Sequence, residues 1–181
     1  MHVRIIAGKY GGRKIDAPDN SRTHPMGERV RNALFNSIGA HVDGVDVLDA
    51  FAGTGAVGLE AISRGARHCT FVERDKIALK VLAKNVVSLG ADEQAEIVRT
   101  SVNNWLETKQ PTSYDIIFAD PPYHDLQLST VNKLFGLLKP NGLMVLSWSG
   151  RGEVPNLENG IVVVDNRSYG NAFLTFFRRE E

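Results

Sequence analysis

The spacing of apolar residues changes repeatedly along this chain, and the changes mark its elements. Val30, Leu34 and Ile38 recur at intervals of four, which predicts a helix over 27–39 that Gly39 ends. Val45-Asp46-Val47-Leu48-Asp49 reads as a strand running into a glycine loop at 52–55, with a helix over 56–64 behind it. Further strands are predicted at Cys69–Glu73, Ala95–Arg99, Tyr114–Ala119 and Leu143–Leu146. Helices fall between them at 76–89 (Ile77, Val81 and Leu82 on one side), 102–108 and 126–138. Tyr114–Ala119 is almost wholly apolar, as expected of a strand covered on both faces. Ile161–Val164 and Phe173–Phe177 lie too close together for a crossover helix, so they are predicted to pair antiparallel through a turn at Asn166–Asn171. Upstream, 3–15 reads as short strands around Gly8, Gly11 and Gly12, and 16–25 as a loop.

Repeated strand–helix units imply an α/β fold: a Rossmann-like, seven-stranded, mostly parallel sheet with an antiparallel C-terminal hairpin. Residues 1–40 form a small N-terminal β-hairpin and helix extension, and 41–181 the main domain. Ligands of such sheets bind at the carboxyl ends of the strands. The single cysteine, Cys69, excludes an internal disulfide framework and is expected in the core. No apolar run approaches the roughly 18 residues of a membrane span, and the N-terminus lacks a signal-peptide pattern, so a cytoplasmic protein is expected.

The formal net charge of +0 conceals an asymmetry. Residues 1–31 hold seven basic side chains (Arg4, Lys9, Arg13, Lys14, Arg22, Arg29, Arg31) against three acidic ones, Asp16, Asp19 and Glu28. The segment therefore carries an excess of positive charge that the remainder balances. Either an anionic partner meets this segment or it is simply a solvated basic face.

Gly53-Thr54-Gly55-Ala56-Val57-Gly58 fits G-x-G-x-x-G between a strand and a helix, and Glu73 stands 20 residues after Gly53. Glycines there let the backbone approach a ligand, and the acid accepts hydrogen bonds from ribose hydroxyls. That pattern serves a nicotinamide or flavin dinucleotide as well as S-adenosylmethionine, and a tight turn without a ligand would also satisfy it. Asp49 favours S-adenosylmethionine, because a carboxylate would attract its amino and sulfonium end and repel a pyrophosphate. The expected cofactor residues are Asp49, Phe51, Ala52, Gly53, Gly55, Glu73, Arg74, Ser101 and Val102, with Ser101 and Val102 placed by position near the adenine. The expected product is S-adenosylhomocysteine, and no metal is expected.

Asp120-Pro121-Pro122-Tyr123 ends the fourth strand of the alternation. An exocyclic amine on a nucleobase is a poor nucleophile, since its lone pair is delocalised into the ring. Acceptors placed on its two N–H bonds favour tetrahedral geometry and stabilise the positive charge that develops on nitrogen. The Asp120 side chain and the Pro121 carbonyl supply them, the double proline fixes the backbone, and Tyr123 offers a face for stacking a base. Asp120 could instead be a metal ligand or a general base, but only His124-Asp125 stands near it, and His124 is read as a loop residue. No serine, histidine and acid arrangement, and no cysteine–histidine pair, points to a nucleophilic enzyme.

These residues sit within a wider match. Arg4-Ile5-Ile6-Ala7-Gly8-Lys9 with Gly12-Arg13-Lys14, Glu28-Arg29-Val30-Arg31 with Leu34-Phe35-Asn36, and Gly58-Leu59-Glu60-Ala61 with Ser63-Arg64-Gly65-Ala66 add to the two motifs. So do Phe71-Val72-Glu73, Tyr169-Gly170, Leu174 and Phe176-Phe177-Arg178. Together they resemble the RsmD-type methyltransferases, which make N2-methylguanine in bacterial small-subunit (16S) ribosomal RNA. The resemblance implies a class I methyltransferase fold, an RNA substrate met as free ribosomal RNA or as an assembling small subunit, and an N-terminal basic hairpin on the RNA. Arg4, Lys9, Arg13, Lys14, Arg29 and Arg31 would then be RNA contacts. Arg29 and Arg31 stand two apart on a helix and cannot share one face, so the alternative for one of them is to serve the cofactor pocket. The family usually has Arg-Pro-Thr where this chain has His24-Pro25-Met26, Glu where Asn32 stands, and often Phe where Tyr123 stands. A monomer is expected. The tetrapeptide alone serves adenine N6 as well as guanine N2, and a silent RNA-binding factor or a nicotinamide oxidoreductase are the remaining alternatives.

Overall fold

The computed structural model describes residues 2–18, 26–108, 113–122, 124–150, 160–170 and 172–180. Strands β1 (His2–Arg4) and β2 (Lys14–Asp16) pair antiparallel, and α1 (Glu28–Ile38) follows. The alternation then runs β3 (Asp46–Asp49), α2 (Ala56–Ser63), β4 (His68–Glu73), α3 (Lys76–Leu89), β5 (Ala95–Arg99), α4 (Val102–Thr108), β6 (Tyr114–Ala119), α5 (Leu128–Leu134) and β7 (Leu138–Trp148). Strands β8 (Ile161–Tyr169) and β9 (Ala172–Arg179) close the chain. The seven-stranded sheet has the order β5-β4-β3-β6-β7-β9-β8, and β9 alone runs against its neighbours. The chain builds outward from β3 in one direction and then, through β6, in the other. That reversal leaves a crevice at the carboxyl ends of β3 and β6.

Alternate residues of the central strands feed two cores. Val47, Phe71, Ile116, Phe118 and Val145 enter one, while Leu48, Val72, Ile117, Met144 and Leu146 enter the other. With both faces covered, period-two patterning disappears and the strands read as apolar runs. The first core is sealed by α1, α2 and α3, and it also takes in Ile15 of β2 and Ile5, just past β1. The extension therefore shares the core of the sheet. Trp105 of α4 and Val131 and Leu134 of α5 seal the second core. All eight residues of α2 are buried, because this helix lies between the sheet and the extension.

Three boundaries differ from those predicted. The helix expected at 126–138 is α5 alone, followed by a tighter turn at Phe135–Leu137, and β7 starts at Leu138 rather than 143. The C-terminal hairpin is also longer: Asn166 lies inside β8 opposite Thr175, and Tyr169 pairs with Ala172. Asn166 is held there by side chains. Its Oδ1 accepts the Thr175 hydroxyl at 2.6 Å, and Thr175 in turn accepts the Trp148 indole N–H at 3.0 Å. Cys69 is a buried free thiol, as expected, and burial pushes its pKa up. No helix among the described residues is long and apolar enough to cross a membrane.

Candidate active site

Three adjacent strands, β4, β3 and β6, end in acids: Glu73, Asp49 and, one residue past the strand, Asp120. Asp49 is 3% exposed, and its Oδ2 accepts the Gly58 N–H at 3.0 Å, tying β3 to α2. Burial pushes its pKa up to about 7, with the negative charges of Asp120 and Glu73 adding to the effect and the Gly58 bond opposing it. Glu73 accepts the Gly53 N–H at 2.8 Å on one oxygen, and the Arg74 and Asp75 N–H groups at 2.8 and 2.7 Å on the other. A carboxylate offers about four acceptor sites, so roughly one remains for a ligand hydroxyl. Among the described residues, the ion pairs involve other acids, and no cationic side chain is paired with these three. The crevice is anionic and uncompensated, which suits a positively charged ligand and disfavours a pyrophosphate.

The glycine loop is shaped by close approach. Gly55 has φ +90, and a Cβ on it would stand 2.5 Å from the Leu82 side chain. A Cβ on Gly58 would stand 2.3 Å from the Phe71 ring and 2.8 Å from the Cys69 sulfur, so the first turn of α2 rests directly on β4. Ala52 is buried and donates its N–H to the Val72 carbonyl at 3.0 Å, while Phe51 is half-buried against the second core. Ser101 caps α4, its Oγ accepting the Asn104 N–H at 3.1 Å, and Val102 is buried beside it. Arg74 is exposed.

Asp120 is half-buried, Pro121 buried and Pro122 exposed, and Tyr123 lies outside the described residues. Burial raises the Asp120 carboxyl to about 6, and a hydrogen bond from Ser147 partly opposes the rise. The Pro122 carbonyl accepts the Asp125 N–H at 2.9 Å, and Asp125 Oδ1 accepts the Gln127 N–H at 3.2 Å. Among the described residues, no backbone donor takes the Pro121 carbonyl. His124 is an exposed loop residue.

The basic residues of the extension separate into groups. Arg31 is a correction: it is wholly buried and cannot touch RNA. Its guanidinium lies 3.4 Å from Glu60 and donates to the carbonyls of Met26 (3.2 Å) and Arg4. Burial lowers its pKa, and Glu60 opposes the shift. Glu60 also accepts the Ile6 and Ala7 N–H groups at 2.9 and 3.1 Å and Arg64 Nε at 2.8 Å, which fastens the extension to α2. Lys9 and Arg13 are exposed, but they lie far from the acids. Lys9 donates to Gln94, which precedes β5, and Arg13 donates to the Ser88 carbonyl in the last turn of α3. Helix α3 has 14 residues, so its two ends are about 21 Å apart, and Asp75 caps the end near Glu73. Arg4, Lys14 and Arg29 are exposed, and Arg4 pairs with Glu28. His24 and Pro25 lie outside the described residues; Met26 packs on the first core.

A family model described as Conserved hypothetical protein 95 matches residues 3–178. The Ribosomal RNA small subunit methyltransferase D of Haemophilus influenzae is 40% identical over 149 residues, covering 78% of this chain and 76% of its own. Its namesake in Escherichia coli strain K12 is 39% identical over 141 residues, covering 77% and 68%. The chain belongs to the RsmD-type family. A solved structure described as "Putative methyltransferase yhhF from Escherichia coli" matches 100% of this RsmD-type chain and 99% of its own, with a TM-score of 0.88 at 31% identity.

Two polar residues of this RsmD-type site escape the motifs. Ser147 is one: buried on β7, it holds the Asp120 pKa down against the effect of burial. Asn85 is the other: buried on α3, it donates to the Thr54 and Asp16 carbonyls and accepts the Asp16 N–H, each at 2.9 Å. It thus binds the glycine loop to β2. Its signal was a lone amide among the apolar positions Leu82, Val86 and Leu89, where a buried polar group requires partners.

Proposed function

We propose that this RsmD-type chain transfers a methyl group from S-adenosylmethionine to the exocyclic N2 of a guanine in small-subunit (16S) ribosomal RNA. The observation that carries the reading is the row of three carboxylates without cationic partners, ending at Asp120-Pro121-Pro122. When bound, S-adenosylmethionine supplies an electrophilic methyl group on a positively charged sulfur. The residues present fit that group. Asp49 is a buried carboxylate for the cationic end, Glu73 keeps acceptor capacity for a ribose hydroxyl, and Gly53 and Gly55 put no side chain at two positions of the loop. Phe51, Ala52, Arg74, Ser101 and Val102 complete the cofactor wall by position. Asp120 and the Pro121 carbonyl accept the two N–H bonds of the substrate amine and turn its lone pair outward. Tyr123 stacks the base.

Substrate class is supported by the relatives named small subunit methyltransferase D, and guanine N2 by the family resemblance. Arg4, Lys14 and Arg29 are the exposed cations we assign to RNA phosphates, acting as a monomer on ribosomal RNA or an assembling small subunit in the cytoplasm. Lys9 and Arg13 would reach only an RNA long enough to pass the far end of α3. The test uses tritiated methyl donor with 30S particles or small-subunit RNA lacking the modification, followed by nucleoside analysis. Labelled N2-methylguanosine is expected, and N6-methyladenosine as the sole product would refute the base assignment.

A further inference from the structure

We propose that Ser147 is a positioning residue for Asp120, holding one carboxylate oxygen so that the other is presented to the substrate amine. This rests on the role given to Asp120 above. The strands bring the two together by register. Strand β6 pairs with β7 through Ile116–Leu143, Ile117–Met144, Phe118–Val145 and Ala119–Leu146, and continuing that register one step past the end of β6 sets Asp120 beside Ser147. Ile116, Phe118 and Val145 all face the first core, and by alternation both polar side chains point to that same side. On its other flank Ser147 is paired with Leu174 of β9, which is fully buried and apolar. A buried hydroxyl has one proton to donate, and the Asp120 carboxylate at the end of the neighbouring strand is the acceptor we assign to it.

A hydroxyl is an unexpected choice for a strand position flanked by Leu146 and Trp148, where an apolar side chain would add burial at no polar cost. Its presence is explained by what it does to the carboxylate. It fixes the direction of one oxygen, and it stabilises the ionised form, which is the form that accepts an amine N–H. The charged group bearing on this corner is Asp49 on β3; Ser147 brings only its hydroxyl from β7, and Phe35 of α1 packs on Phe118. Burial favours the protonated acid, and Ser147 is the hydrogen bond that opposes it.

The test follows Asp120 directly by carboxyl carbon NMR on isotopically labelled full-length protein, with the resonance assigned by its loss in Asp120→Asn. In Ser147→Ala the titration midpoint should rise by about one pH unit, a tenfold change in the protonation equilibrium. Ser147→Thr, which keeps the hydroxyl, should restore it. In methyl transfer, the acid limb of kcat should move upward with the same midpoint in Ser147→Ala, while KM for S-adenosylmethionine stays within about twofold. An unmoved midpoint in folded Ser147→Ala overturns the assignment. So does lost thermal stability with an unmoved midpoint, which is the mark of a purely structural residue. The titration needs neither donor nor RNA, so wild-type protein that leaves guanine unmethylated refutes the function without touching the titration result.

Discussion

Binding of S-adenosylmethionine should strengthen as pH rises through 7, and Asp49 sets the size of the effect. Its carboxyl titrates at about 7 rather than 3.8, chiefly because it is buried. A displacement of about 3 units corresponds to on the order of 4 kcal/mol between the two protonation states. The folded protein therefore holds the Asp49 proton more tightly than the unfolded chain does. The free protein should lose stability as pH rises from about 4 to about 7, because the folded form must then bury an anion. A cationic ligand needs that anion. Below the midpoint each complex requires the prior loss of a proton, so the apparent Kd should rise about tenfold per pH unit, and be about tenfold weaker at pH 6 than at pH 8. Calorimetry between pH 5.5 and 8.5, in buffers of different ionisation enthalpy, reads both the affinity and the proton released. Asp49→Asn keeps an acceptor for Gly58 and removes the titration, so its affinity should be weak and flat over that range. It also corrects for any ionisation of the ligand itself. A wild-type Kd that is constant between pH 6 and 8, or the same slope in Asp49→Asn, would refute the reasoning.

Other variants separate chemistry from scaffold. Asp120→Ala should leave particle affinity within a few-fold, by filter binding, and reduce methyl transfer by at least about a hundredfold; unchanged turnover would contradict its role. Arg31→Ala strands Glu60 in a buried site and should cost about 3–5 kcal/mol in denaturant unfolding, whereas a loss under about 1 kcal/mol would mean that Arg64 alone satisfies Glu60. Gly58→Ala should lower stability by roughly 1–3 kcal/mol, because its Cβ meets Phe71 and Cys69. That is about 2–4 °C in Tm per kcal/mol, and a rise in Tm, as helix propensity alone predicts, would show that α2 can shift off β4.

Much of the fold was legible because α/β sheets bury strands on both faces and helices on one, and the two habits leave different periods. Strands β3 to β6 and helices α2 to α4 sit within a residue or so of their predicted limits. The failures share a physical cause. Asn166 reads as a turn former from local chemistry, yet it lies inside β8 because Thr175 and Trp148 from neighbouring strands supply it with a hydrogen-bond network. The 3-residue turn after α5 likewise owes its form to Phe135 and Leu137, which are buried in the second core. Local propensity is overridden wherever distant strands decide which polar groups are satisfied.

The site was legible in its acids and less so in its cations, for a reason that electrostatics makes general. Asp49, Glu73 and Asp120 are placed by the ends of strands, so finding the strands finds them. A basic residue carries no such mark. Arg29 and Arg31 are two residues apart with the same charge, yet Arg29 is exposed and Arg31 is sealed, because Glu60 stands opposite one of them on a helix 29 residues away. The count of seven cations in the first 31 residues thus overstates the charge available to RNA. Arg31 is taken up by Glu60, Arg4 shares Glu28, and Arg13 is folded onto Ser88. What the extension does with that charge is partly internal. Arg31 and Glu60 clamp it to α2, Asn85 joins β2 to the glycine loop, and the same short segment that offers Lys14 to solvent is thereby bonded to the backbone of Thr54. An RNA that moved the hairpin would act directly on the loop beside the three carboxylates.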